Sequence, residues 1–154
     1  MSGQFYDAGM GSFTSFGTTS FKLDTRELDK IIRNMDGNKN KVGAHIGFQL
    51  QAEAQKRAPR LTSAMSNSIY AVTKDYDGYS GAATAARQAN PKVETQPHPK
   101  PTGDVLARVG PCVNYAEYVE FGTSRMVAQP FLIPAAEVVF RKLNSGEYWR
   151  KLVE

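Results

Sequence analysis

Cysteine is almost absent from this 154-residue chain, and that scarcity removes two classes of function at once. Cys112 stands alone, so an internal disulfide and a cysteine-based zinc site are both excluded. A single thiol fits a reducing cytosol. Histidine is nearly as scarce. His45 and His98 have no further nitrogen, sulfur or carboxylate at ligand spacing, so no metal is expected. No glycine-rich run leads into a helix carrying a lysine, so Gly110 marks no phosphate loop and no cofactor is expected. No apolar run approaches the roughly 18 residues that a membrane span requires. The N-terminus lacks a basic stretch ahead of an apolar one, so neither membrane nor secretion signal is expected. There is no internal repeat.

What is present is ordinary for a globular protein, with 41% hydrophobic and 22% charged residues. The length suits one domain with a modest core. Net charge is +4 and the isoelectric point about 9.2. A nucleic-acid binder should gather its lysines and arginines on one face. Here they are spread, and the densest group, Lys56, Arg57 and Arg60, reads equally as a solvated helix end or a phosphate clamp.

Residues 1–22 form a first unit, an extended N-terminal arm. Up to Phe21 it carries one charge, Asp7, among glycines, serines and the aromatics Phe5, Tyr6, Phe13, Phe16 and Phe21. It cannot build a core of its own, because its glycines cost backbone entropy and its aromatics lack periodic support. Two readings stand: a solvated tail, or an arm whose aromatics anchor on a neighbouring subunit.

Residues 23–154 are a single α+β domain. Asp24 or Thr25 can cap a first helix with Leu28, Ile31, Ile32 and Met35 at helical spacing. A second helix is predicted over Lys41 to Ala58, with Val42, Ile46, Leu50 and Ala54 on one face and Pro59 as its stop. Ser68 to Thr73 alternates like a strand, and Asp104 to Val109 is its return partner, closed by Gly110-Pro111. Between them, residues 75–104 hold Pro91, Pro97, Pro99 and Pro101 and little large apolar content. That stretch reads as the long tip of a β-hairpin, an assembly element with nothing of its own to pack on. Tyr115 to Phe121 is a short helical turn closed by Gly122, a candidate left-handed cap. Phe131-Leu132 reads as a short edge strand. Pro134 opens a helix continued by Ala135, Val138, Val139 and Leu143, which Asn144-Ser145-Gly146 breaks. Glu147 to Val153 is a last helical piece. The expected architecture is therefore N-terminal helices and a C-terminal helix packed on a small, mostly antiparallel sheet.

Few residues look reactive. His45 reads as an ordinary helix histidine, and Cys112 as a small buried hydrophobe with no base beside it. Glu117 and Glu120 could be taken for paired carboxylates. Their neighbours Tyr115, Tyr118 and Phe121 point instead to an amphipathic turn that touches another chain. The stretch Asn114 to Pro134, NYAEYVEFGTSRMVAQPFLIP, packs aromatics, a Gly-Thr turn and two prolines together without a nucleophile–base pair. It reads as a docking surface rather than a reacting one, and no enzyme activity is expected.

Three segments in fixed order resemble a family of tailed-bacteriophage proteins, the minor tail component or tail-completion (neck) proteins. The first is AEAQKRAPRLTSAMSNSI, where Ala58, Pro59, Thr62, Ser68 and Ile69 take the family's places. The family more often carries glycine after the threonine, where Ser63 stands here. The second is VLARVGPCVNYAEYVEFGT, and the third AQPFLIPAAEVV. The resemblance spans roughly Leu23 to Leu143 and leaves out the arm and the proline-rich loop.

The resemblance implies a structural virion protein that assembles as a ring around the DNA channel, hexameric by preference and dodecameric as the alternative. Its neighbours would be the head-completion or connector protein and the tail terminator or tail tube protein. Its place would be the virion neck, after assembly in the bacterial host cytoplasm. A modest positive charge suits a lumen that passes DNA without gripping it, since tight phosphate contacts would hinder ejection. The expected subunit contacts are the five arm aromatics together with Tyr115, Tyr118, Glu120, Phe121, Arg125, Gln129 and Phe131. Aromatics and arginine are the types enriched at interface hot spots. The rival reading is a small basic nucleic-acid-binding module.

Overall fold

The computed structural model describes residues 11–13, 21–23, 39–60, 63–96, 98, 100–103 and 105–146. The first predicted helix with Leu28, Ile31, Ile32 and Met35, and the last piece over 147–153, lie outside the described residues. So do Phe5, Tyr6 and Phe16.

The fold is α+β, as the sequence indicates. Strands β1 (Gly11–Phe13) and β2 (Phe21–Leu23) pair antiparallel, with Phe13 opposite Phe21. Helix α1 covers Lys39–Arg57, two residues earlier at its start than expected. Its stripe Val42, Ile46, Leu50 and Ala54 is buried throughout. The helical turn runs on one residue further, Ala58 N–H donating to Ala54 O at 2.9 Å, and Pro59 stops it. Gly43 lets α1 lie close on the sheet: a Cβ there would stand 2.4 Å from Leu106 Cβ.

A short helix α2 (Ala64–Ser68) leads into β3 (Ile69–Thr73), which pairs antiparallel with β4 (Ala107–Pro111) from Ile69–Pro111 to Thr73–Ala107. The return strand begins later than expected and runs through Gly110-Pro111. Pro111 sits at the ladder's end, and Cys112 N–H continues the pairing to Ser68 O at 3.0 Å. Alternation sets the two faces of β3. Ile69 and Ala71 face the cluster built on α1, while Tyr70 and Val72 join a second cluster with Cys112.

That second cluster is closed by an element the sequence reading misses. Helix α3 (Tyr79–Ala89) lies inside the supposed loop, burying Ala82, Ala83 and Ala86, and packs on α2 and β3. Beyond it, Val93 is buried, Thr95 bridges Val113, and Gln96 N–H donates to Cys112 O at 2.8 Å. The described part of the excursion 75–104 thus belongs to the core of the domain and is not a bare hairpin tip. The residues that α3 buries are all alanines, so its burial works through close approach rather than bulk.

Two further helices follow among the described residues. Helix α4 (Ala116–Phe121) follows β4, and α5 (Leu132–Asn144) packs along α1 with Leu132, Ala135, Ala136, Val139 and Leu143 buried. Phe131-Leu132 is no edge strand: Phe131 caps α5 and Leu132 is its first residue. Glu53 of α1 ties the two long helices together, meeting Arg57 at 2.6 Å, Lys56 at 3.2 Å and Lys142 of α5 at 3.6 Å.

Candidate functional site

The stretch from Tyr115 to Pro134 folds into one construction. On α4, Ala116 and Glu120 point inward and Val119 packs against the core, while Glu117, Tyr118 and Phe121 point outward. These are the i, i+3 and i, i+4 spacings of a single turn and a half. Tyr118 is 59% exposed and Phe121 37%.

Gly122 then turns the chain. Its φ of 74° and ψ of −179° suit glycine, and a Cβ there would stand 2.6 Å from Ala128 N and 2.7 Å from Met126 O. The left-handed region is entered, though not with the ψ of a helical left-handed cap. Residues Thr123 to Met126 make a tight turn. Thr123 N–H donates to Met126 O at 2.8 Å, and Met126 N–H returns to Thr123 O at 3.3 Å. The Thr123 hydroxyl oxygen accepts from Arg125 N–H and Met126 N–H at 3.2 and 3.1 Å. On the way back Gln129 N–H donates to Val119 O at 2.8 Å. Val127, beside Gly122, is 85% exposed.

Glu120 holds this lip from beneath. Its carboxylate accepts from Phe131 N–H at 2.9 Å, Leu132 N–H at 3.1 Å and Ile133 N–H at 2.9 Å. A helix begins with four N–H groups that lack internal partners. In α5 the first three go to Glu120, and the fourth position is Pro134, which has no N–H. The start of α5 is therefore satisfied in full by one side chain eleven residues upstream and one proline. The negative charge also meets the positive end of the helix dipole.

This geometry sorts the expected contact residues. Tyr118, Phe121, Arg125 and Gln129 are on the surface, and Tyr115 is half-buried against the core. Glu120 and Phe131 are inside, so both are corrected from contact residues to internal ones. A fully buried side chain has no face left for a neighbour. Phe131, the residue that precedes α5, is fully buried in the main core cluster. Of the arm aromatics, Phe13 and Phe21 are opposite one another on the β1–β2 ladder.

Elsewhere, Cys112 and His98 are held away from solvent by burial. Burial pushes the Cys112 thiol up to about 11, so it stays protonated and poorly nucleophilic. His98 leans on Tyr70 at a ring separation of 4.6 Å, and Tyr70 meets Tyr79 edge-on at 5.4 Å. Burial, helped by the Arg108 charge, lowers His98 to about 4. Its Nε2 and the Nε of Arg108 are buried without hydrogen-bond partners among the described residues. His45 is exposed on α1. No three His, Cys, Asp or Glu side chains gather at metal-ligand geometry among the described residues. No described helix is long and apolar enough to cross a membrane.

The basic trio does not act as one patch. Lys56 and Arg57 are paired with Glu53, and Arg60 borders an open polar hollow of about 280 Å³ with Gln55, Ser63, Ser66 and Asn67. Ser63 has φ 58°, the one non-glycine in the left-handed region among the described residues. No protein-family model matches the chain, and neither a curated protein nor a solved structure matches it.

Proposed function

We propose that this chain is a structural subunit of a tailed-bacteriophage virion, a tail-completion or neck protein that joins the head connector to the tail around the DNA channel. It performs no reaction. It assembles as a homo-oligomeric ring, hexameric by preference and twelvefold as the alternative. The head-completion protein lies on one side of it and the tail terminator or tail tube protein on the other.

One observation carries this reading. The segments that resemble the family, VEFGT and QPFLIPA, meet in a single construction, in which Glu120 of the first caps the helix opened by the second. Its outcome is a rigid lip that presents Tyr118, Phe121 and Val127 to solvent. A docking surface gains from a frame whose parts are locked by hydrogen bonds, because less freedom is lost on contact. Ser63 adds support. It takes a left-handed φ of 58° at the place where the family more often has glycine, the residue that adopts such a φ without strain. The pairing of Lys56 and Arg57 with Glu53 weighs against the nucleic-acid-binding module, since two of its three cations are already engaged.

Electron microscopy of the purified chain and of labelled virion necks is the test. Symmetric copies at the head–tail junction are expected. A single copy there, or none, sinks the proposal. Steep salt dependence of binding to nonspecific DNA would favour the rival module instead.

A further inference from the structure

The β3–β4 ladder has two outer edges, and the fold treats them differently. Cys112 N–H donates to Ser68 O at 3.0 Å, which marks Ser68 and Cys112 as a hydrogen-bonded pair of the antiparallel ladder. Such pairs alternate with pairs that exchange no bond, so Tyr70–Gly110 and Val72–Arg108 are hydrogen-bonded too. The backbone groups of Ile69, Ala71 and Thr73 on β3 then point away from the ladder, as do those of Ala107 and Val109 on β4. On β3 this outer edge is engaged. Gln51 Nε2 donates to Ile69 O at 2.8 Å, Gly78 N–H to Ala71 O at 3.1 Å, and Thr73 N–H to Tyr76 O at 2.7 Å.

The outer edge of β4 has no such cover. Ala107 and Val109 are 6% and 1% exposed, and no hydrogen bond meets their outward N–H and C=O groups among the described residues. Buried backbone groups are nearly always paired. An edge strand with unmet groups is a template for another strand.

That strand stands alongside. β2 lies next to β4, and among the described residues it pairs on one edge only, with β1. We propose that β2 adds to the outer edge of β4, joining two two-stranded sheets into one of four strands in the order β1-β2-β4-β3. The outward N–H and C=O groups of Ala107 and Val109 receive it. The occupant is the chain's own β2 and not that of a second copy, because β2 already stands beside β4 within one chain. Main-chain bonds carry such a contact. It fixes the N-terminal arm to its own domain at Phe21–Leu23, and it seals an edge on which copies would otherwise pair.

Amide exchange followed by NMR on the full-length chain tests this. In the parent, the Ala107 and Val109 amides should be protected as well as those of Tyr70 and Gly110, which bond within the β3–β4 ladder. Proline cannot donate to a ladder, so Lys22→Pro should speed exchange at Ala107 and Val109 roughly tenfold or more, while Tyr70 and Gly110 keep their protection. Lys22→Ala, which keeps its N–H, should behave as the parent does. Fast exchange at Val109 in the parent overturns the proposal, and so does protection that Lys22→Pro leaves unchanged. Protection at Val109 that climbs with protein concentration also overturns it, since the strand then comes from a second copy. Where Lys22→Pro loses the Tyr70 and Gly110 protection as well, the parent alone decides. Cross-strand NOEs between the backbone protons of residues 21–23 and 107–109 are expected there, and their absence refutes the pairing.

Discussion

Replacing Glu120 with alanine should be among the most damaging single changes in the chain, although the residue lies in a turn that looks like surface. The side chain is 2% exposed and accepts three backbone N–H groups. Hydrogen bonds to a charged group contribute about 1.5–3 kcal/mol each, and their losses do not simply add. In Glu120→Ala two of the orphaned donors, on Phe131 and Leu132, are fully buried. Each costs about 1–3 kcal/mol when left unmade. The third, on Ile133, is only partly buried, and water can reach it. The expected loss is about 3–5 kcal/mol, a large share of the ~5–15 kcal/mol that holds a typical domain together. Glu120→Gln keeps the shape and one acceptor oxygen but turns an NH₂ towards a donor, so it should lose about 2 kcal/mol.

Urea unfolding followed by circular dichroism reads this directly. With a slope near 2 kcal/mol/M the Glu120→Ala midpoint should fall by roughly 2 M, while the slope is unchanged. A loss below about 1 kcal/mol would show that the capping argument is wrong. The contact-residue reading makes the opposite forecast: an unchanged monomer that no longer assembles. The two outcomes separate in one titration.

Phe131→Ala, at a site with no exposure, should cost about 3–5 kcal/mol by the same assay; a loss near zero would remove it from the core. Glu53 is held at about 2, below its ordinary 4.5, chiefly by its Arg57 hydrogen bond, with Lys56 and Lys142 adding and burial opposing. Its contribution should be whole above pH 4.5 and lost as pH falls towards 2, so the Tm gap between parent and Glu53→Gln should close across that window; a constant gap contradicts it. His98, lowered to about 4 from 6.5 by burial and then Arg108 against an opposing Asp77, takes its proton only in the unfolded chain between those values. Stability should be whole above pH 6.5 and fall towards pH 4, and His98→Asn should flatten that fall; an imidazole titrating near 6.5 by NMR would contradict it. Deleting residues 80–99 should unfold the domain, since it removes all but the first residue of α3 and the bridge to Val113; a cooperative transition close to the parent's would return that stretch to the status of a detachable loop.

The long elements were legible because large apolar side chains spell their period. Val42, Ile46, Leu50 and Ala54 mark α1, and all four are buried. The antiparallel pairing of β3 with a distant partner was legible too. Helix α3 was not. It buries Ala82, Ala83 and Ala86, residues too small to register as a core stripe, although alanine has the highest helix propensity. Counting large hydrophobes turned a packed helix into a supposed loop. The strand expected at Phe131-Leu132 failed for another reason. Two bulky apolar residues fit a strand by composition, but the proline two places on suits the first turn of a helix.

Glu120 was misread because a carboxylate among aromatics on a short helix fits an amphipathic turn. The wheel alone could have corrected this. Ala116, Val119 and Glu120 share one side and Glu117, Tyr118 and Phe121 the other, so Glu120 falls with the small and branched apolar residues. A second sign lay at the start of α5. The residues before Pro134 are Gln129, Pro130, Phe131, Leu132 and Ile133, and none is a Ser, Thr, Asp or Asn able to cap locally. A helix so opened leaves buried N–H groups that need an acceptor from elsewhere in the chain. The nearest acid that faces inward is Glu120. The cap and the lip are thus one device. The carboxylate that satisfies α5 also fixes where α4 ends, and with Gly122 it dictates where Tyr118, Phe121 and Val127 stand. A change at Glu120 should therefore loosen the outward face of α4 in the same measure as the helix it caps.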